Sequence, residues 1–174
     1  MMSKADQIFE ELIRPIESRM IKIVWRIVLD PEEAEDVFQD ILAQIWAKLV
    51  VILRHPTPHA YILRICVTKS YDALRRRSRR QRYEVFLETI KSQLLPVYPN
   101  ELMGAFDQKS AMRAAIALLP RKQGQAILLR VMDDAPYASI GAVLGCSEET
   151  ARSHFSKGKA RLKKILARMG VLVR

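Results

Sequence analysis

Residues 137–161 read YASIGAVLGCSEETARSHFSKGKAR, and this stretch decides the fold. Ile140, Val143 and Leu144 recur at helical spacing and give a first helix one apolar face. Gly141 is small where two helices would cross closely. Gly145 ends that helix, because glycine enters the left-handed region without a steric penalty. Ser147 is a good N-cap for the next helix, and Glu148 and Glu149 suit the positive end of its dipole. Two short helices around a three-to-four-residue turn containing glycine make a helix-turn-helix, whose second helix fits the major groove of a duplex. No acidic residue follows Glu149, whereas Arg152, Lys157, Lys159, Arg161, Lys163, Lys164 and Arg168 do. A helical hairpin with a solvated basic face is the plainer reading. The Gly and Ser punctuation, joined to charge of one sign, favours DNA.

The rest of the chain carries the same bias. Its 174 residues leave room for one medium domain or two small ones, and its net charge of +10 suits a polyanion partner. The charge is segregated: residues 1–74 and 84–110 carry −2 each, the run 75–82 (RRRSRRQR) carries +6, and 111–174 carry +8. Two basic surfaces therefore flank a mildly acidic middle. Glycine is scarce and alternating β patterns are few, so an all-α fold is expected. Cys66 and Cys146 lie in apolar helical contexts and read as buried thiols. His55, His59 and His154 are scattered, so no zinc spacing arises and neither metal nor cofactor is expected. With no secretory signal and no apolar run of about 18 residues, a cytoplasmic protein without membrane insertion is expected. No Gly-rich phosphate loop, Ser/His/Asp set or carboxylate–histidine cluster is visible, which gives an enzyme reading nothing to stand on.

Working back toward the N-terminus, residues 5–29 form an amphipathic helical pattern through Ile8, Leu12, Ile16, Met20, Val24 and Ile27, which Pro15 should bend or interrupt. Asp30-Pro31-Glu32-Glu33 is a strong helix start, with Asp as N-cap and Pro at N1. That second helix is expected to run to about Val51. Thr57 is placed to cap a third, from Pro58 to about residue 82, which ends in the arginine run. These elements make one small domain, 1–83. Residues 84–108 have weak periodicity and read as a flexible linker. Residues 109–119 and 121–133 look like two helices divided at Leu119-Pro120. With the helix-turn-helix they make a four-helix domain, 109–174. The acidic run Asp30, Glu32, Glu33, Glu35, Asp36, Asp40 is either a solvated face or a docking face for a basic partner.

Three segments carry a family resemblance: DPEEAEDVFQDILAQIW, AYILRICVTKSYDALRR and LPRKQGQAILLRVMDDAPYASIGAVLGCSEETARSHFSKGKARLKKIL. In order and spacing they closely resemble bacterial RNA polymerase sigma factors, and look most like the short extracytoplasmic-function group. The resemblance implies a transcription initiation factor that binds core RNA polymerase and promoter DNA, with an anti-sigma factor as a further partner. It implies that Asp36, Gln39, Asp40 and Trp46 dock on the polymerase. It also implies that Tyr61, Arg64, Thr68, Asp72, Arg75 and Arg76 face the melted −10 element, with the loop from Arg54 to His59 holding a flipped base. On the second helix of the helix-turn-helix, Arg152, Ser153, Ser156 and Lys157 match positions facing the −35 element. A stand-alone helix-turn-helix regulator of duplex DNA is the alternative.

Elementary chemistry runs parallel to these roles. Melted bases need stacking rings and a basic groove, which Tyr61 and the arginines of 75–80 offer; a core tyrosine and a frayed basic helix end are the plainer readings. Arg152 has the fork to pair with guanine, or equally with a phosphate. The chain departs from the family pattern in four places. Thr68 stands where Asn is usual, Tyr61 where Trp is, and Ala151 where Val is. Gly158 lies within the recognition helix, where glycine costs about 1 kcal/mol relative to alanine and suggests a close backbone approach.

Overall fold

The structure, a computed structural model, describes residues 4–92 and 108–171, with side chains for 4–84 and 110–171. Among these residues it is all helix, without a strand. The first amphipathic pattern forms two helices, α1 (Lys4–Ile13) and α2 (Glu17–Val28). They part around Pro15, which lacks the N–H that a continuous helix needs. The α2 cap Leu29 lies at φ 66°, its N–H reaching back to the Trp25 carbonyl.

The helix α3 (Pro31–Ala47) starts where the sequence indicates, with the Asp30 side chain accepting from the Glu33 amide at 3.1 Å. That bond, opposed by slight desolvation and aided by Arg77, holds the Asp30 carboxyl below its usual range. The expected single helix to Val51 breaks at Lys48, and α4 (Leu49–Leu53) follows as a separate turn. The long helix α5 spans Pro58–Ser92. It runs through 84–92, part of the stretch read as linker. That stretch has no proline before Pro96 to stop it. Residues 93–107, the remainder of the expected linker apart from Gln108, lie outside the described residues.

The C-terminal helices are α6 (Gln108–Ala117), α7 (Arg121–Met132), α8 (Tyr137–Leu144) and α9 (Glu148–Arg168). Met20, Ile23 and Val24 of α2, Ile41 and Ile45 of α3, and Ile62 and Cys66 of α5 are buried together in the first half. Leu119, Leu129, Ile140, Leu144 and Leu166 are buried in the second. Through Tyr71 and Leu74 of α5 and Ile116 and Leu128 of α6 and α7, one apolar cluster continues across both halves.

Cys66 is fully buried, and burial pushes its thiol up to about 12, so it stays protonated and unreactive. Cys146 is only half-buried, which corrects the expectation of two buried thiols: it sits in the turn before α9 rather than on a helix face. Gly158 is buried where α9 crosses α7. A Cβ there would lie 3.0 Å from Ile127 Cδ1 and 3.2 Å from the Gln123 carbonyl oxygen. The close approach suggested by the sequence is therefore real, and α7 is what approaches.

Candidate nucleic-acid interface

The turn between α8 and α9 is the three residues Gly145, Cys146 and Ser147. Gly145 adopts φ 68°, ψ 48°, and the Cys146 amide closes the end of α8 by donating to the Gly141 carbonyl at 2.9 Å. A Cβ on Gly141 would meet the Cys146 carbonyl oxygen at 2.7 Å, so its small size admits the turn rather than a helix crossing. Ser147 caps α9 by accepting from the Thr150 amide at 3.2 Å.

On the first turns of α9, Arg152, Ser156 and Lys157 are exposed and Ser153 is half-buried. Ala151 is fully buried and faces the core. Arg152 is held from two sides: its Nη2 lies 3.0 Å from Glu148 Oε1, and its guanidinium sits 4.8 Å over the Tyr137 ring. Tyr137 in turn packs edge-on against Phe155, with Arg130 at 5.4 Å from its ring. Sequence reasoning missed Tyr137; an aromatic residue at a helix start was its only signal. His154 is half-buried beside Lys122 and Lys157. Burial first, then those two charges, lower its pKa, favouring the neutral ring.

The α5 residues lie on one continuous helix but meet different surroundings. Tyr61 is half-buried, its ring 5.0 Å from His55 and 5.9 Å from the Arg64 guanidinium. With Gln44, Lys48, Thr68, Lys69 and Asp72, these two line a cleft of about 340 Å³. The buried Gln44 Oε1 has no hydrogen-bond partner, which makes it an acceptor that the sequence gave no reason to single out. The Thr57 hydroxyl pairs with His55 Nδ1 at 3.3 Å, within the loop that leads into α5. Arg75 and Arg76 are exposed.

Arg64, Thr68 and Asp72 point to the helix-turn-helix half. Arg64 Nε donates to the Val143 carbonyl at 2.6 Å. Thr68 Oγ1 accepts from Gln125 Nε2 at 3.1 Å, and Asp72 pairs with Arg121 at 2.6 Å. Between them Tyr71 is fully buried, its hydroxyl in contact with the Ile116 and Leu119 carbonyls at 3.1 and 2.8 Å. Burial pushes its phenol up to about 12, against the opposing pull of Arg75 and Arg121.

On α3, Asp36, Gln39 and Asp40 are exposed, and Trp46 is 45% exposed with its ring edge on Phe9. A polar groove of about 900 Å³ separates this acidic face from Arg76, Arg77 and Arg80 of α5. Arg77 spans its upper end, 3.4 Å from both Asp30 and Glu33. Among the described residues no helix is long and apolar enough to cross a membrane, and no group of His, Cys, Asp or Glu is placed to hold a metal ion.

These surfaces fall within two known regions. Residues 12–80 match Sigma-70 region 2, and residues 109–162 match Sigma-70, region 4. The RNA polymerase sigma-E factor of Streptomyces coelicolor is 24% identical over 159 residues, which cover 91% of this chain and 85% of that protein. The ECF RNA polymerase sigma factor SigE of Mycolicibacterium smegmatis is 25% identical over 175 residues, 92% of this chain and 62% of that protein. Among solved structures, the sigma factor RpoE of Bartonella quintana, in complex with the anti-sigma factor NepR, has a TM-score of 0.50 at 22% identity, covering 91% of this chain and 96% of that one. With both regions present in order on an all-helical fold, the chain belongs to the sigma-70 family of RNA polymerase sigma factors, in its extracytoplasmic-function group.

Proposed function

We propose that this sigma factor divides promoter recognition among three helices, with no catalytic site of its own and in the cytoplasm. The exposed acidic face of α3, with Asp36, Gln39, Asp40 and Trp46, docks on core RNA polymerase. The first turns of α9 read the −35 element through Arg152, Ser153, Ser156 and Lys157. The α5 helix holds the melted −10 strand: Tyr61 stacks, Arg64, Thr68 and Asp72 face bases, and Arg75 and Arg76 track phosphates. Gln44 adds an acceptor at the same cleft. The observation that carries this reading is the basic helix α9, capped at Ser147 and without an acidic residue after Glu149, on the same chain as a separate acidic helix. The Bartonella quintana likeness, solved with an anti-sigma factor, supports such a partner here as well.

Run-off transcription with purified core polymerase on a promoter library tests the proposal. Transcripts from a defined subset of promoters, dependent on this chain, are the expected result. DNA binding with no transcript and no association with core polymerase would leave a stand-alone regulator instead.

A further inference from the structure

Away from every residue assigned to DNA or polymerase, the structure holds a cavity of about 610 Å³. Its walls come from the end of α2, from α5, and from α6 and α7 of the second half. We propose that this cavity binds a free medium-chain fatty carboxylate, with the aliphatic tail inside and the head on Arg113 and Arg26.

Ile27, Leu74, Ile116 and Leu128 line the cavity and are themselves buried, so they form its floor. Leu29 and Met112 also line it but remain 45% and 37% exposed, so they stand at its mouth. Among the described residues no aromatic ring and no carboxylate lines it. Walls of branched and thioether side chains suit a flexible alkyl chain better than a flat ring. The volume lies within the range of small-molecule sites, which are mostly apolar with a few placed polar groups. Leu29 carries a second mark. Its φ of 66° puts a leucine in the left-handed region, where glycine is the unstrained choice for a helix end. Its side chain serves the cavity rather than the core. Backbone strain of this kind clusters at ligand sites.

The charged side chains on the cavity are all cationic. Arg26 is exposed and donates one N–H to the Met132 carbonyl, which leaves the rest of its fork available. Arg113, half-buried, makes no hydrogen bond or ion pair among the described residues. The acids adjoining the lining residues in the chain are engaged elsewhere: Asp30 with Arg77, Asp133 with Arg19 and Lys22, Asp134 with Arg130. Two guanidiniums on an otherwise aliphatic cavity complement one negative head on an alkyl tail, and the guanidinium fork matches a carboxylate in geometry. Because the walls belong to both halves, a bound ligand stabilises the arrangement that forms them by mass action.

The test titrates the full chain with hexanoate, octanoate and decanoate, each below its micelle concentration, by calorimetry and by thermal unfolding. One saturable site is expected, tightening up to about fourfold per added methylene and raising the melting temperature. Decanol and decyltrimethylammonium keep the tail without the negative head, and are expected to bind about tenfold more weakly than decanoate. Arg113→Gln is expected to weaken decanoate about tenfold and to leave decanol unchanged. Leu29→Gly removes a wall and relieves the backbone together, so it is expected to weaken decanoate while the ligand-free chain stays at least as stable. A leucine with a merely structural role would instead give lower stability at unchanged affinity. No saturable binding, decanol binding as tightly as decanoate, or affinity unmoved by both Arg113→Gln and Leu29→Gly would overturn the proposal. Binding that appears only after Leu102→Ser, Met103→Ser and Phe106→Ser together would also overturn it, because the occupant would then be the chain's own segment between α5 and α6.

Discussion

Arg152 stands on the second turn of α9 with its guanidinium held by Glu148 and by the Tyr137 ring. A fork already oriented loses less freedom on pairing with a base edge. Arg152→Ala is therefore expected to relax selectivity at one or two −35 base pairs, each worth about 1–3 kcal/mol. Lys163, exposed about three turns further along, is expected to weaken binding evenly when changed to alanine, since phosphate contacts position without specifying. Binding across a base-substituted −35 series distinguishes the two, and equal losses for Arg152→Ala at every substitution would assign it to phosphate. Ser147 gives a second prediction at this scale. It satisfies the Thr150 amide at the start of α9, so Ser147→Ala should cost about 1 kcal/mol of stability in denaturant unfolding, whereas Ser147→Asn should keep most of it.

At the scale of the helix, α3 presents its acids outward because Ala34, Val37, Ile41 and Ile45 take the buried positions. Asp36→Arg with Gln39→Ala should weaken core polymerase binding while leaving helicity by circular dichroism unchanged; full affinity in a folded double variant would remove the docking role. The apolar periodicity that exposes this face was legible in the sequence, as were the Asp30 and Ser147 caps and the glycine turn, because each is a local signal within one or two turns. Other features had no such signal. The break at Lys48 lies in a run without glycine or proline. The continuation of α5 to Ser92 follows from the absence of a stop rather than from a pattern. Gly158 signalled a cost and a close backbone approach but not what approaches; Ile127 and Gln123, which do, lie some thirty residues away in the chain. The engagement of Arg64, Thr68 and Asp72 by α7 and α8 is longer in range still, and a motif that assigns those side chains to DNA leaves no trace of their second partner.

For the molecule as a whole, Tyr71 reports whether the two halves are together. Its phenol is raised to about 12 chiefly because the contact between the halves buries it, and an exposed tyrosine titrates near 10. The folded value lies above the unfolded one, so this group's contribution to the closed form is fully present below about pH 10. It is lost as pH rises through the interval up to about 12. Across neutral pH Tyr71 therefore imposes no pH dependence on closure. In an alkaline titration followed by phenolate absorbance, one of the five tyrosines should ionise late in the wild type, with the radius of gyration rising over the same interval. In Gly124→Ala, where the added Cβ would lie 2.5 Å from the Tyr71 hydroxyl oxygen, that late step should move toward 10, because a tyrosine released from its burial meets water. Tyr71→Phe identifies the residue, since it should delete the late step and leave the remaining tyrosines where they were. A late step that persists unchanged in Gly124→Ala would mean that Tyr71 is buried by its own domain, and that the phenol does not sense the contact between the halves.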